Sequence, residues 1–116
     1  MRRGDVVLMV APGELGKPRP AIVVQADELG ENTTTVLVCP LSSDIQESPR
    51  LRPVVEPDAT NGLRIESQCM TEKVMPIRRN RIRRILGSLD VNTVDQLDRA
   101  LLVVLGLARR EHTLSP

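Results

Sequence analysis

The chain has no phenylalanine, tryptophan or tyrosine. This removes the aromatic platforms on which RNA-recognition sheets and many single-strand binders stack bases. It also removes tyrosine as an acid or a base. Histidine is nearly absent: the single one is His112, near the C-terminus, so no histidine pair exists. With Cys39 and Cys69 as the only cysteines, that set does not build a structural zinc site. No apolar run approaches the ~18 residues of a membrane span. The start, Met1-Arg2-Arg3-Gly4-Asp5, lacks the anatomy of a signal peptide. These absences set the expectation of a cytoplasmic protein with no membrane segment, no metal and no cofactor. The two cysteines then read as small buried hydrophobes, since a disulfide suits a secreted chain better. An excess of either charge is missing too. Sixteen basic against fifteen acidic residues leave a net charge of +1, so overall charge says little about partners.

What remains narrows the chemistry. Stacking on a base falls to arginine planes, and catalysis to carboxylates, hydroxyls and arginine. Of the sixteen basic residues only Lys17 and Lys73 are lysine, and an arginine excess suits bidentate phosphate contacts. Arg78, Arg79, Arg81, Arg83 and Arg84 crowd into seven residues with no acid between them. Such a run is either a solvated surface or a nucleic-acid patch, and the residues alone leave both open.

At 116 residues, 41% hydrophobic and 27% charged, the chain has the composition of one globular domain spanning 1–116. Residues 5–10, 21–25 and 33–39 read as strands, the last stopped by Pro40. A short strand is expected over 52–56, a turn at Asn61-Gly62, a further strand over 65–74 ended by Pro76, and a last one at Ile85-Leu86 after a helical turn in the arginine run. Val94, Leu97, Leu101, Val104, Leu105 and Ala108 keep the spacing of one helical face. The helix is expected from Thr93 to about Leu107, with Thr93 and Gln96 as a capping box and Gly106 near its end. Its apolar stripe reads as core, and 109–116 as a polar tail. The fold class is mainly β with α (α+β): a small SH3-like barrel of short, mostly antiparallel strands with an amphipathic C-terminal helix.

Five blocks, in order, carry a family likeness. They are Arg3-Gly4-Asp5-Val6-Val7; Gly16-Lys17-Pro18-Arg19-Pro20 with the strand after it; Cys39-Pro40-Leu41-Ser42-Ser43; Asn61-Gly62-Leu63 with Ser67-Gln68 and Glu72-Lys73; and Ile85-Leu86-Gly87-Ser88-Leu89 with Arg99-Ala100-Leu101 and Leu105-Gly106-Leu107. Together they span roughly residues 2 to 108 and resemble the MazF/PemK toxins. Ser42 stands where most members carry threonine, and Met70 where one branch carries arginine. The resemblance implies a PemK-type barrel, a homodimer, and a sequence-selective, metal-independent endoribonuclease (mRNA interferase) acting on single-stranded RNA. It also implies a cognate antitoxin that occupies the RNA site, with DNA met only through the antitoxin complex.

On those blocks the catalytic candidates are Arg19, Ser42 and Glu72. Arg19 offers a fixed charge and a donor fork to a phosphate whose charge redistributes during the reaction; otherwise it is a surface residue at a loop–strand junction. Ser42 offers a hydrogen bond to the same phosphate; otherwise it caps the loop after Pro40. Glu72 fits a general base on condition that partial burial raises its pKa; otherwise it is a strand-end ion pair. Lys17, Ser43, Arg52, Arg64, Gln68 and Lys73 are the candidate RNA contacts. Two other functions stay open: a gyrase-poisoning toxin like CcdB on the same general fold, and a barrel that binds RNA without cutting it. A gyrase poison has no need of Arg19 and the Ser42 hydroxyl together.

Overall fold

The computed structural model describes residues 1–13, 16–48 and 50–108; the expected polar tail, 109–116, lies outside them. Its strands are β1 (Asp5–Met9), β2 (Arg19–Val23), β3 (Thr35–Ser42), β4 (Val54–Val55), β5 (Ser67–Cys69), β6 (Met75–Arg78) and β7 (Ile82–Ser88). One helix, α1 (Val91–Val104), follows them. The strand order is β4-β5-β3-β2-β1-β7, with β6 also on β3, and every recorded pairing is antiparallel. The sheet curls into a half-barrel.

Its central strands are apolar in unbroken runs because both faces are covered. Neighbouring residues alternate between two cores, as the two-residue strand period requires. Val6, Ile22 and Cys39 join Leu41, Cys69 and Leu97 on one face, while Val7, Met9, Ala21, Val23 and Val38 join Ile77 on the other. Helix α1 closes the first face through Leu97, about 1% exposed, with Val94 and Leu101 packed beside it. Burying a leucine this fully contributes roughly 1.5–3 kcal/mol. Arg3 ties the helix down, donating to the Val24 carbonyl at 2.9 Å and pairing with Asp98 at 2.8 Å.

Several boundaries differ from expectation, each for a local reason. Pro40 does not stop β3. The strand passes from β6, paired through residues 35–38, to β5, paired at 41–42, and the Pro40 carbonyl accepts from Met70 N–H at 2.9 Å. The strand expected over 65–74 is short β5 and then a 3-10 turn at Thr71–Lys73. Pro76 lies inside β6 opposite Leu37, whose carbonyl accepts from Val24 N–H and whose N–H donates to the Gln25 side chain, so this pair needs no N–H from the proline. β7 is longer than Ile85-Leu86 and takes up Arg83 and Arg84. The helical turn in the arginine run is confined to Arg79–Arg81. The helix begins earlier than Thr93 because Asp90 caps it, its carboxylate accepting from Thr93 N–H at 2.7 Å. Gly106, at φ +75°, ends it: Gly106 N–H bonds the Val103 carbonyl and Leu107 N–H the Leu102 carbonyl, a Schellman pair.

Candidate active site

Three strands in register make the site. Met9 pairs with Arg19 across β1 and β2, and Ala21 with Pro40 across β2 and β3. Continuing the second register by two residues sets Arg19, the first residue of β2, across from Ser42, the last of β3. Side chains at cross-strand positions share a face. A depression of about 360 Å³ opens there, walled by Arg19, Ser42 and Lys73 and floored by Met9, Pro40, Met70 and Met75. Two strands and the turn after β5 thus collect three of the predicted site residues into one groove: two cations and a hydroxyl over an apolar base.

Ser42 is half-buried, and its Oγ accepts from Asp44 N–H at 3.1 Å, which turns the chain into the following loop. That bond uses one lone pair and leaves the hydroxyl hydrogen to donate elsewhere. Lys73 closes the turn Thr71–Lys73, and Ser43 is exposed one residue beyond the groove edge. The methionines were not singled out as a set from sequence. Their signal was a count: three of the chain's four line this groove.

The other candidates stand apart. Lys17 is exposed just before β2, and Arg64 is exposed on the connection into β5; neither lines the groove. Arg52, expected at a phosphate, is instead buried and turned onto Glu72. Its Nε donates to the two carboxylate oxygens at 3.2 and 3.0 Å, and its Nη2 bonds Oε2 as well. This overturns the condition set for Glu72 as a base. The Arg52 guanidinium holds its carboxyl below the usual range, outweighing the upward push of burial. Gln68 is also spent: its amide donates to the Gln46 carbonyl and accepts from Gln46 N–H, both at 2.8 Å. It anchors the loop after Ser42 instead of facing a ligand. Within the arginine run, Arg79 bonds Gly30 and Thr33, and Arg81 reaches the Val10 carbonyl, while Arg78, Arg83 and Arg84 are exposed.

Residues 2–105 match the family described as PemK-like, MazF-like toxin of type II toxin-antitoxin system. The chain belongs to that family. This toxin is 38% identical to the probable endoribonuclease MazF of Mycolicibacterium smegmatis, over 93% of its own length and 99% of the relative's. It is 30% identical to endoribonuclease EndoA of Bacillus subtilis, over 92% and 96% of the two chains. Its fold matches the Mycobacterium tuberculosis toxin MazF-mt6 with a TM-score of 0.76 at 19% identity, covering 89% of the toxin and 97% of that structure. It also matches a mycobacterial endoribonuclease solved with its cognate antitoxin, with a TM-score of 0.75 at 18% identity over 92% and 96%. At those identities the structures establish the toxin's fold, while the sequence matches establish its family. No helix among its described residues is long and apolar enough to cross a membrane.

Proposed function

We propose that this toxin is a sequence-selective endoribonuclease that cuts single-stranded RNA in the groove between Arg19 and Ser42, without metal or cofactor. The observation that carries the reading is the groove that Arg19, Ser42 and Lys73 line together. RNA brings its own nucleophile. The 2′-oxygen gives up its proton and attacks the neighbouring phosphorus, the bond to the 5′-oxygen breaks, and that oxygen leaves with a proton. The products are a 2′,3′-cyclic phosphate and a 5′-hydroxyl. Alignment and charge stabilisation supply most of the acceleration in such a step. Arg19 places its fork on the phosphoryl oxygens, Ser42 donates to the same group, and Lys73 adds a second positive charge. The methionine floor gives a flanking base a polarisable apolar surface in a chain with no aromatic ring.

Two copies form the working unit, with the groove walled by both, and the cognate antitoxin silences it by occupying the same groove. DNA meets the toxin only through the antitoxin complex, and the protein works in the cytoplasm. Two-fold pairs are the commonest closed assembly of a single chain. The antitoxin-bound mycobacterial structure and the family description support an antitoxin partner.

The test is cleavage of a mixed-sequence RNA in EDTA by wild type, Ser42→Ala and Ser43→Ala. Wild type should cut and leave cyclic-phosphate ends, and Ser42→Ala should lose more activity than Ser43→Ala. Retardation of RNA without cutting would favour a passive binder. No effect on RNA, together with gyrase inhibition, would favour the poison. The opposite serine ranking, in folded variants, would move the site by one residue.

A further inference from the structure

We infer that Arg52 and Glu72 are a positioning pair: they clamp the turn Thr71–Lys73 to the segment before β4 and so set where Met70 and Lys73 stand in the groove. In its kinetic arm this rests on the endoribonuclease reading above; in its structural arm it does not.

The clamp is built from three successive residues on one side. Leu51 offers its carbonyl to the Thr71 hydroxyl, Arg52 grips the Glu72 carboxylate, and Pro53 accepts from Cys69 N–H at 2.9 Å. Arg52 is 9% exposed, and a guanidinium that deep persists only with a partner. Glu72 is the middle residue of a three-residue turn, so fixing its carboxylate fixes the turn. Met70 and Lys73, on either side of it, are both groove residues. β4 and β5 have two and three residues, too few to hold such a turn by their own ladder.

The frame extends to the other wall. Arg52 N–H donates to the Ser48 carbonyl at 2.7 Å. The loop between Ser42 and Ser48 is held midway by the two hydrogen bonds between Gln68 and Gln46. One connected set of contacts therefore runs from Lys73 through Glu72 and Arg52 to the loop that starts at Ser42. In this arrangement each charge is consumed by the other: the carboxylate accepts no proton from RNA, and the fork reaches no phosphate.

A positioning pair, unlike a catalytic one, is replaceable by an apolar pair of similar bulk. Arg52→Met and Glu72→Gln should each slow single-turnover cleavage about ten- to a hundredfold with little change in RNA affinity. Both should raise hydrogen exchange at the Cys69 and Lys73 amides. The double variant Arg52→Met/Glu72→Leu should return the rate to within about threefold of wild type, restore exchange protection, and leave the pH–rate profile unshifted. A double variant that melts like wild type and protects those amides but cuts no better than the singles would overturn the inference, because the charges would then serve the chemistry directly. If wild type cuts no RNA, the functional reading falls, and the exchange data alone decide the clamp: protection lost in the singles and regained in the double supports it. Protection unchanged in the singles refutes it.

Discussion

Gly87 is the position where the structure sets the sharpest steric limit. It pairs with Val6 and faces the turn that Asn61 organises. Asn61 is buried; its side-chain oxygen accepts from Asp58 and Leu63 N–H, and its amide donates to the Glu56 carbonyl at 2.8 Å. A Cβ on residue 87 would lie 2.1 Å from the Thr60 carbonyl oxygen and 2.7 Å from the Asn61 carbonyl carbon. Both are backbone atoms, so no side chain can swing away. Gly87 is outside the left-handed region, which makes the penalty of Gly87→Ala steric alone. Overpacking of this kind costs about 1–3 kcal/mol. Pushing the turn away also breaks the bond from Ser88 N–H to the Thr60 carbonyl, 3.0 Å long, for about 1 kcal/mol more. With an unfolding entropy on the order of 0.24 kcal/mol/K for 116 residues, Tm should fall by roughly 8–16 °C. Gly13→Ala serves as the control: it has open space and φ +81°, so only the backbone term of about 1–2 kcal/mol applies. Thermal melts by circular dichroism decide. A Gly87→Ala protein melting within about 2 °C of wild type would refute the close packing of β7 on the turn.

Glu72 gives a prediction with a definite sign. Its pKa is lowered in the folded state, so its stabilising contribution is present above the unfolded carboxylate value of about 4.3 and fades as pH falls through the folded value. Denaturant titrations should therefore show wild type more stable than Glu72→Gln at neutral pH, with the gap narrowing in acid; a gap that widens in acid contradicts the assignment. The thiols give another. Cys39 and Cys69 are fully buried, and the neighbouring Cys69 thiol, then burial, pushes the Cys39 thiol up. Native protein should resist Ellman's reagent while both thiols react after unfolding, and fast native labelling of either would contradict the burial.

The strands and helix were legible where apolar residues kept a period, and boundaries failed where a long-range partner decided them. Pro40 and Pro76 looked like strand stops, but a proline ends a strand only if its missing N–H is needed, and pairing partners are invisible in a single sequence. Asp90 was passed over as the cap because Thr93 and Gln96 made a plausible local box. Arg19, Ser42 and Lys73 were picked out by motif position, and it is the folded chain that brings them to one groove. Arg52, Glu72 and Gln68 show what one sequence hides: residue type signals a capacity to bind, while the partner that engages that capacity lies about twenty residues away in each case. The arginine run divides on the same principle. Arg79 and Arg81 satisfy backbone carbonyls, and Arg78, Arg83 and Arg84 face solvent.

If Arg19 stabilises the phosphoryl charge as proposed, single-turnover cleavage by Arg19→Ala and Arg19→Lys, read beside RNA affinity and Tm, will show it. Losing such a donor set costs about 3–4 kcal/mol, or a hundred- to a thousandfold in rate. Arg19→Lys should fail nearly as badly as Arg19→Ala, because a point charge does not reproduce the fork. Affinity should fall far less than rate, since other cations still meet phosphates. Tm should hold, because Arg19 is exposed at the start of β2. Cleavage by folded Arg19→Ala at the wild-type rate would rule out that role for Arg19.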